Sequence, residues 1–252
     1  MFRTSVVVVF MVGLMLVAVT KEEKGTFDDQ DVQKRSKRPL MITARSCLDH
    51  LKNGKTKSNY YPIVTPKGSQ MVYCDLESER GSAWTLVLSY SARYRNKKNI
   101  APFKYGLTRD LPVNSKSPNF NMYRMSHAQM KNIQSQSTHW RVTCNNHVDY
   151  RDYVRVKFRD LDPLKFIGGA QCKKVEYINV RGHVGIGVTA AFWQYYHEML
   201  HHDSDVNSCQ FGRSVGAVGS EDNFGLYKSI NRKFRCTRDD SSTTNTWFGG
   251  YL

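Results

Sequence analysis

Several features are missing from this chain of 252 residues. Its longest apolar run, Val6 to Val19, has 14 residues, short of the roughly 20 that a membrane-spanning helix needs. No two cysteines stand at the close C-x-x-C spacing of a structural zinc site. No asparagine begins an N-x-[ST] acceptor, so ordinary N-glycosylation is not expected. There is no internal repeat, and no collagen-like or coiled-coil stalk of the kind multivalent binders carry. Acidic residues are scarce: 22 Asp and Glu face 37 Lys and Arg, a formal net charge of +15. That balance describes partners and solubility, and it points to anions.

What is present begins with a secretory pattern. Arg3 supplies a positive start, the apolar run follows, and Ala18-Val19-Thr20 offers small residues for cleavage. Residues 1–20 are therefore expected to be a signal peptide. Six cysteines behind such a segment read as three disulfides formed outside the cytoplasm. In that compartment the anions are acidic glycans, anionic surfaces or acidic matrix proteins, and nucleic acid is excluded. Residues 21–45 are charged and poor in apolar side chains, so they are expected to be disordered. Arg35-Ser36-Lys37-Arg38 resembles a furin-type site with Pro39 directly behind it. The segment is either a propeptide cut after Arg38 or a basic linker.

Ordered structure is expected from Ser46. Ser46 suits a helix N-cap, Asp49 suits the first turn, and Gly54 can end the helix in a left-handed conformation. Tyr60, Tyr61 and Ile63 then give an extended segment, Lys67-Gly68-Ser69 a turn, and Met71 to Cys74 a strand. Gly81 separates these from a second strand, Trp84 to Tyr90. The register of Cys47, Leu51, Gly54, Tyr61, Ile63, Val72, Tyr73, Cys74, Asp75, Glu77, Gly81, Trp84, Thr85 and Val87 resembles the opening subdomain of fibrinogen C-terminal-like domains. Where that family usually has three glycines, Gly81 is followed by Ser82 and Ala83. The resemblance covers Ser46–Val87 and implies a bridge from Cys47 to Cys74. It leaves three pairings for the other four cysteines. Loops of similar size favour Cys144–Cys172 and Cys209–Cys236.

Beyond residue 90 the family pattern fades. The Gly-rich Phe-Trp-Leu-Gly strand is not visible, and prolines 102, 112 and 118 punctuate a basic, loop-rich stretch. Ser126 to Ile133 is expected to be a short helix starting at Ser126. Trp140–Cys144, Tyr153–Phe158 and Val175–Val180 alternate apolar with polar residues and read as half-buried strands. The expected class is α+β: a fibrinogen-like N-terminal subdomain at 46–90 within a domain spanning 46–252, whose remainder, 91–252, is a divergent, disulfide-bonded mixed α/β region.

Three patterns carry candidate chemistry. His197-Glu198-Met199-Leu200-His201 is an H-E-x-x-H. On a helix, His197 and His201 would share one face and hold Zn²⁺ while Glu198 activates water, with Glu221 a conceivable third ligand. The residues that follow do not continue any zinc-protease pattern. Asp203, Asp205 and Asn207 place oxygen ligands in alternation, as a Ca²⁺ loop does. An Asp-x-Asp calcium loop ahead of a cysteine, here Cys209, is similar to the one in fibrinogen-like domains, yet the Gly-Gly-Trp-Trp-Tyr run that shapes the family's ligand pocket is absent. Arg232, Lys233 and Arg235 form a basic cluster suited to sulfate and carboxylate groups. Trp247, Phe248 and Tyr251 are read as core or edge packing.

The chain is most similar to short fibrinogen-like proteins of marine invertebrates, including those of coral skeletal organic matrix. That resemblance implies a secreted, non-enzymatic matrix or interaction protein that does not span the membrane and binds extracellular matrix or acidic glycans. The alternative is a calcium-dependent lectin of ficolin or intelectin type, with a zinc metalloprotease third. The sequence leaves the oligomeric state open.

Overall fold

The computed structural model describes residues 43–145, 150–203, 208–212, 216, 223–225, 227 and 229–252. The expected signal peptide and residues 21–42 of the propeptide or linker lie outside the described residues, as do Asp205, Asn207 and Glu221; residues 43–45 of the expected disordered segment are ordered, Ala44 being buried with its carbonyl accepting the Val64 N–H at 2.8 Å, so structure begins ahead of Ser46. The described elements are the strands β1 (Asn59–Thr65), β2 (Gly68–Asp75), β3 (Ser82–Ser91), β4 (Met122–Arg124), β5 (His139–Cys144), β6 (Tyr153–Lys157), β7 (Gly168–Lys174), β8 (Tyr177–Val180), β9 (His183–Ile186), β10 (Thr189–Tyr195), β11 (Glu198–His202) and β12 (Thr243–Tyr251), with helices α1 (Cys47–Lys52) and α2 (His127–Gln134). Antiparallel sheet predominates, and the helical part of the α+β expectation is confined to short pieces.

One nine-stranded sheet runs β1-β2-β3-β12-β5-β6-β8-β9, with β4 paired to β3 beyond the reach of β2. The last strand in sequence is thus central. β12 pairs with β3 from Thr243↔Ser91 to Tyr251↔Ser82 and with β5 from Thr244↔Cys144 to Gly249↔His139. All ten residues of β3 are buried, as are all six of β5. The alternation that read as half-buried strand in β5 has another cause, because its polar residues Arg141 and Thr143 find partners inside. Polar side chains in these central strands bond one another: Ser89 Oγ donates to Asn245 Oδ1 at 2.6 Å, and Trp247 Nε1 donates to Thr143 Oγ1 at 3.0 Å. Such pairing is what makes burial of polar groups tolerable.

α1 packs on β3 and β12, and α2 packs on β12. Ser46 has extended backbone at the N-cap, but its hydroxyl makes no capping bond; the Cys47 N–H is instead met by Thr85 Oγ1 at 3.3 Å. At the other end Gly54 has φ +81°, Lys55 N–H donates to His50 O and Gly54 N–H to Leu51 O, each at 3.0 Å. This is the paired C-terminal pattern that needs a left-handed residue, which glycine adopts without strain. α2 begins as expected: Ser126 Oγ accepts from Gln129 N–H, and Gln129 Oε1 accepts from Ser126 N–H.

The second sheet has three strands, β11-β10-β7. Phe192 meets Trp140 of the large sheet edge-on, ring centroids 6.0 Å apart. Buried Gln194 donates to the carbonyls of Pro163 and Phe166 and accepts from Leu107 N–H. The proline-punctuated stretch is organised by Arg124, fully buried, whose guanidinium donates to the carbonyls of Pro102, Tyr105, Gly106 and Arg109.

The disulfides are Cys47–Cys74, Cys144–Cys236 and Cys172–Cys209. The expected Cys144–Cys172 and Cys209–Cys236 bridges are not formed. Loop size was a poor guide, because strand topology decides which cysteines meet: Cys144 ends β5 beside β12, and the segment carrying Cys236 leads directly into β12. Cys172 lies in β7 opposite Ala191, and Cys209 follows β11 in the same small sheet.

Candidate functional site

The site is built outward from one carboxylate. Asp152 is fully buried immediately before β6, with φ +52°. Its Oδ1 accepts the backbone N–H of Arg181, at the turn between β8 and β9, and its Oδ2 accepts the backbone N–H of Arg235 at 3.0 Å. Arg235 opens a 3-10 turn, Arg235–Thr237, whose Cys236 is bridged to β5. A single side chain therefore ties together three backbone segments, each bearing an arginine: Arg151, Arg181 and Arg235. Burial pushes the Asp152 carboxyl up, and the two N–H bonds with the nearby charges of Arg151 and Arg181 only partly offset this.

Arg232 and Lys233 are exposed beside this junction. Phe234 between them and Arg235 is buried, and the Arg181 guanidinium lies over its ring at 5.5 Å. Lys233 N–H donates to Asn231 Oδ1, and Asn231 Nδ2 donates to Gly216 O, each at 3.0 Å. The Lys233 and Arg181 stems flank Gly216: a Cβ there would stand 3.3 Å from one and 3.8 Å from the other. The sequence cluster Arg232, Lys233 and Arg235 is thus joined by Arg151 and Arg181 from distant parts of the chain. Linear spacing carries no sign of those two, since only the sheet brings them near.

Through Tyr153, the residue after Asp152, the region adjoins a buried ionic network. Arg141, fully buried, lies over the Trp84 ring at 4.4 Å and the Trp247 ring at 5.3 Å, and pairs with Asp75 and with Glu79, the latter at 2.8 Å. Glu79 also accepts from the hydroxyls of Tyr153 and Tyr251, at 2.5 and 2.6 Å. Burial alone would raise Asp75 and Glu79, but the Arg141 charge holds both below their ordinary values, helped by hydrogen bonds from Ser78 to Asp75 and from the two tyrosines to Glu79. Tyr153 follows Asp152 directly, so the network fixes the start of the strand from which the basic cluster hangs.

The H-E-x-x-H segment is not helical. His197 sits in the turn of the β10–β11 hairpin and His201 lies in β11, buried, with Nδ1 on the Met199 carbonyl at 2.7 Å. Glu198 accepts from Trp193 Nε1. The one-turn spacing that would put both imidazoles on a shared Zn²⁺ is lost in a strand, where the rise per residue is more than twice that of a helix. Four consecutive residues, Met199 to His202, are buried in this strand, and the motif match carried no signal of that. Asp203 is half-buried, its N–H on the Ala191 carbonyl at 3.1 Å. Its calcium-loop companions Asp205 and Asn207 are outside the described residues. Among the described residues no three His, Cys, Asp or Glu side chains are grouped to hold a metal.

No protein-family model matches the sequence, and no curated protein matches it. Among solved structures, the chain is similar to the fibrinogen-like globe domain of human ANGPTL6, with a TM-score of 0.34 and 10% identity over 84% of this chain and 97% of that one. It is also similar to lamprey fibrin D-dimer, complexed with the peptide ligand Gly-His-Arg-Pro-amide, with a TM-score of 0.29 and 14% identity over 88% of this chain and 64% of that one. The resemblance to fibrinogen C-terminal-like domains is carried by the sequence register of Ser46–Val87.

Proposed function

We propose that the chain is a secreted, non-enzymatic interaction protein of the extracellular matrix, which holds acidic glycans through Arg151, Arg181, Arg232, Lys233 and Arg235. The carrying observation is the convergence of three arginine-bearing segments on buried Asp152. A guanidinium grips sulfate or carboxylate with two parallel donors, and several held in one place lose little entropy on binding. The net charge of +15 raises the local concentration of polyanions. Three disulfides, with no free cysteine among the described residues, suit an oxidising compartment. In this reading residues 1–20 are the signal peptide, 21–45 the linker or propeptide, and 46–252 the fibrinogen-like domain. A mineralised skeletal matrix is the setting implied by the sequence resemblance.

The test is binding to a sulfated polysaccharide across a salt series. Affinity should fall steeply with salt, because exposed charges are screened. Lys233→Glu with Arg235→Glu should weaken it by about tenfold or more, roughly 1.4 kcal/mol per tenfold; the Arg235 backbone N–H stays on Asp152, so the fold is kept. Binding indifferent to these changes would refute the reading. Binding lost on chelation and competed by neutral sugar would favour the calcium-dependent lectin instead.

A further inference from the structure

Between the β1–β2 hairpin, the loop at Ser115–Lys116 and the first turns of α2 lies a cleft of about 610 Å³, within the range of small-ligand sites. Its charged lining residues are Lys67 and Lys116, and no carboxylate lines it among the described residues. Both lysines are exposed, and neither ammonium has an ion-pair partner among the described residues. Lys57, Lys157 and Lys165, by contrast, stand beside the carboxylates of Glu77, Glu176 and Asp162. The amide Nδ2 of Asn132, on the helix side, is shut off from solvent and has no hydrogen-bond partner among the described residues. A buried donor left unpaired is costly, and the half-buried Asn132 side chain would have to turn toward the cleft for a ligand oxygen to relieve it.

The walls are fixed. Gln70 of the hairpin and Gln129 of the helix both donate their side-chain amides to the Ser115 carbonyl, at 3.4 and 3.3 Å. These bonds hold the loop that carries Lys116 against both neighbours. Pro66 and Met71 supply apolar surface, and Ser69 a hydroxyl. Two unneutralised cations, further donors, an apolar patch and no acidic group select one kind of molecule. It must have an anionic group, several oxygens and a C–H face.

We propose that this cleft binds an anionic sugar, a ring bearing carboxylate or sulfate, at a site separate from the arginine-rich cluster. The ammonium groups of Lys67 and Lys116 take the anionic group, the Asn132 side chain turns outward so that its amide donates to a sugar oxygen, and Pro66 with Met71 packs against the ring.

The experiment is calorimetric titration of the full chain with a short uronate oligosaccharide, a sulfated one and a neutral one of equal length. Variants are Lys67→Glu with Lys116→Glu, Asn132→Asp, and Lys233→Glu with Arg235→Glu, each checked by circular dichroism. Saturable binding of either anionic probe is expected, with the responding probe naming the group recognised. Loss by about tenfold or more is expected in the first two variants, and near-native affinity in the third. Asn132→Asp keeps the shape of the side chain while reversing its preference. Should it misfold, the exposed lysine pair still decides. The proposal is overturned if neither anionic probe binds, if the neutral probe binds equally, if the lysine reversal changes nothing, or if the cluster variant loses affinity to the same extent. Failure here leaves the salt-dependent binding of long polymers to the arginine cluster as a separate result.

Discussion

Arg141 carries its charge in complete burial between two tryptophan rings, balanced by Asp75 and Glu79. Removing one partner from such a group strands the others in a poor solvent. Arg141→Met should therefore cost about 3–5 kcal/mol in urea unfolding, and adding Asp75→Asn and Glu79→Gln should restore much of it. Both carboxyls are lower folded than unfolded, so their stabilisation is complete above the unfolded values, about pH 4 to 4.5, and is lost as pH falls through the folded ones. His202 acts at higher pH. Burial, with the nearby charges of His201, Arg181 and His183, brings it down to about 4, although its bond to the Ala191 carbonyl opposes this. The unfolded chain takes up that proton first, so stability should drop as pH falls from about 6.5 towards 4, by roughly 3 kcal/mol at most. His202→Gln should flatten that part of a plot of urea midpoint against pH. At this scale the sequence is legible where function depends on neighbours in the chain, as at Arg232, Lys233 and Arg235. It is silent on Arg151 and Arg181, and it gives Arg141 the look of a solvent-facing strand residue.

Among the elements, those with local signals were readable. Ser126 and Gln129 announce α2, Gly54 ends α1, and the strand formers Tyr60, Tyr61 and Ile63 mark β1. The misreading of His197 to His201 as helical came from a motif whose spacing is blind to conformation. β12 was unreadable as the centre of a sheet because its Thr-Thr-Asn-Thr opening is polar, and only the partners from β3 and β5 make such a strand stable inside. The fit between these strands is tight at Gly249, where a Cβ would fall 2.0 Å from the Ala83 carbonyl oxygen and 2.9 Å from Trp84 Cα. Gly249→Ala should lower stability by about 1–3 kcal/mol, as overpacking does. Gly212→Ala, with nothing within 4 Å, should be near neutral in the same thermal unfolding series.

For the molecule as a whole, the disulfides divide the labour. Non-reducing peptide mapping should recover Cys144 with Cys236 and Cys172 with Cys209. The first bridge closes a separation of 92 residues, and its removal should cost about 4–5 kcal/mol on chain-entropy grounds. It also anchors the turn that bears Arg235, so Cys144→Ala with Cys236→Ala should weaken polyanion binding although no charge has changed. The opening subdomain was legible because its cysteines, tryptophan and glycines lie close together in sequence. The pairing of the later cysteines was not, since it follows from which strands adjoin.

The placement of β12 also sets an order of events during synthesis. Until residues 243–251 leave the ribosome, β3 and β5 each lack their shared neighbour, and long stretches of apolar strand wait with open edges. The nascent chain cannot consolidate this sheet piece by piece from its N-terminal end, so the centre of the sheet closes only once β12 has been made.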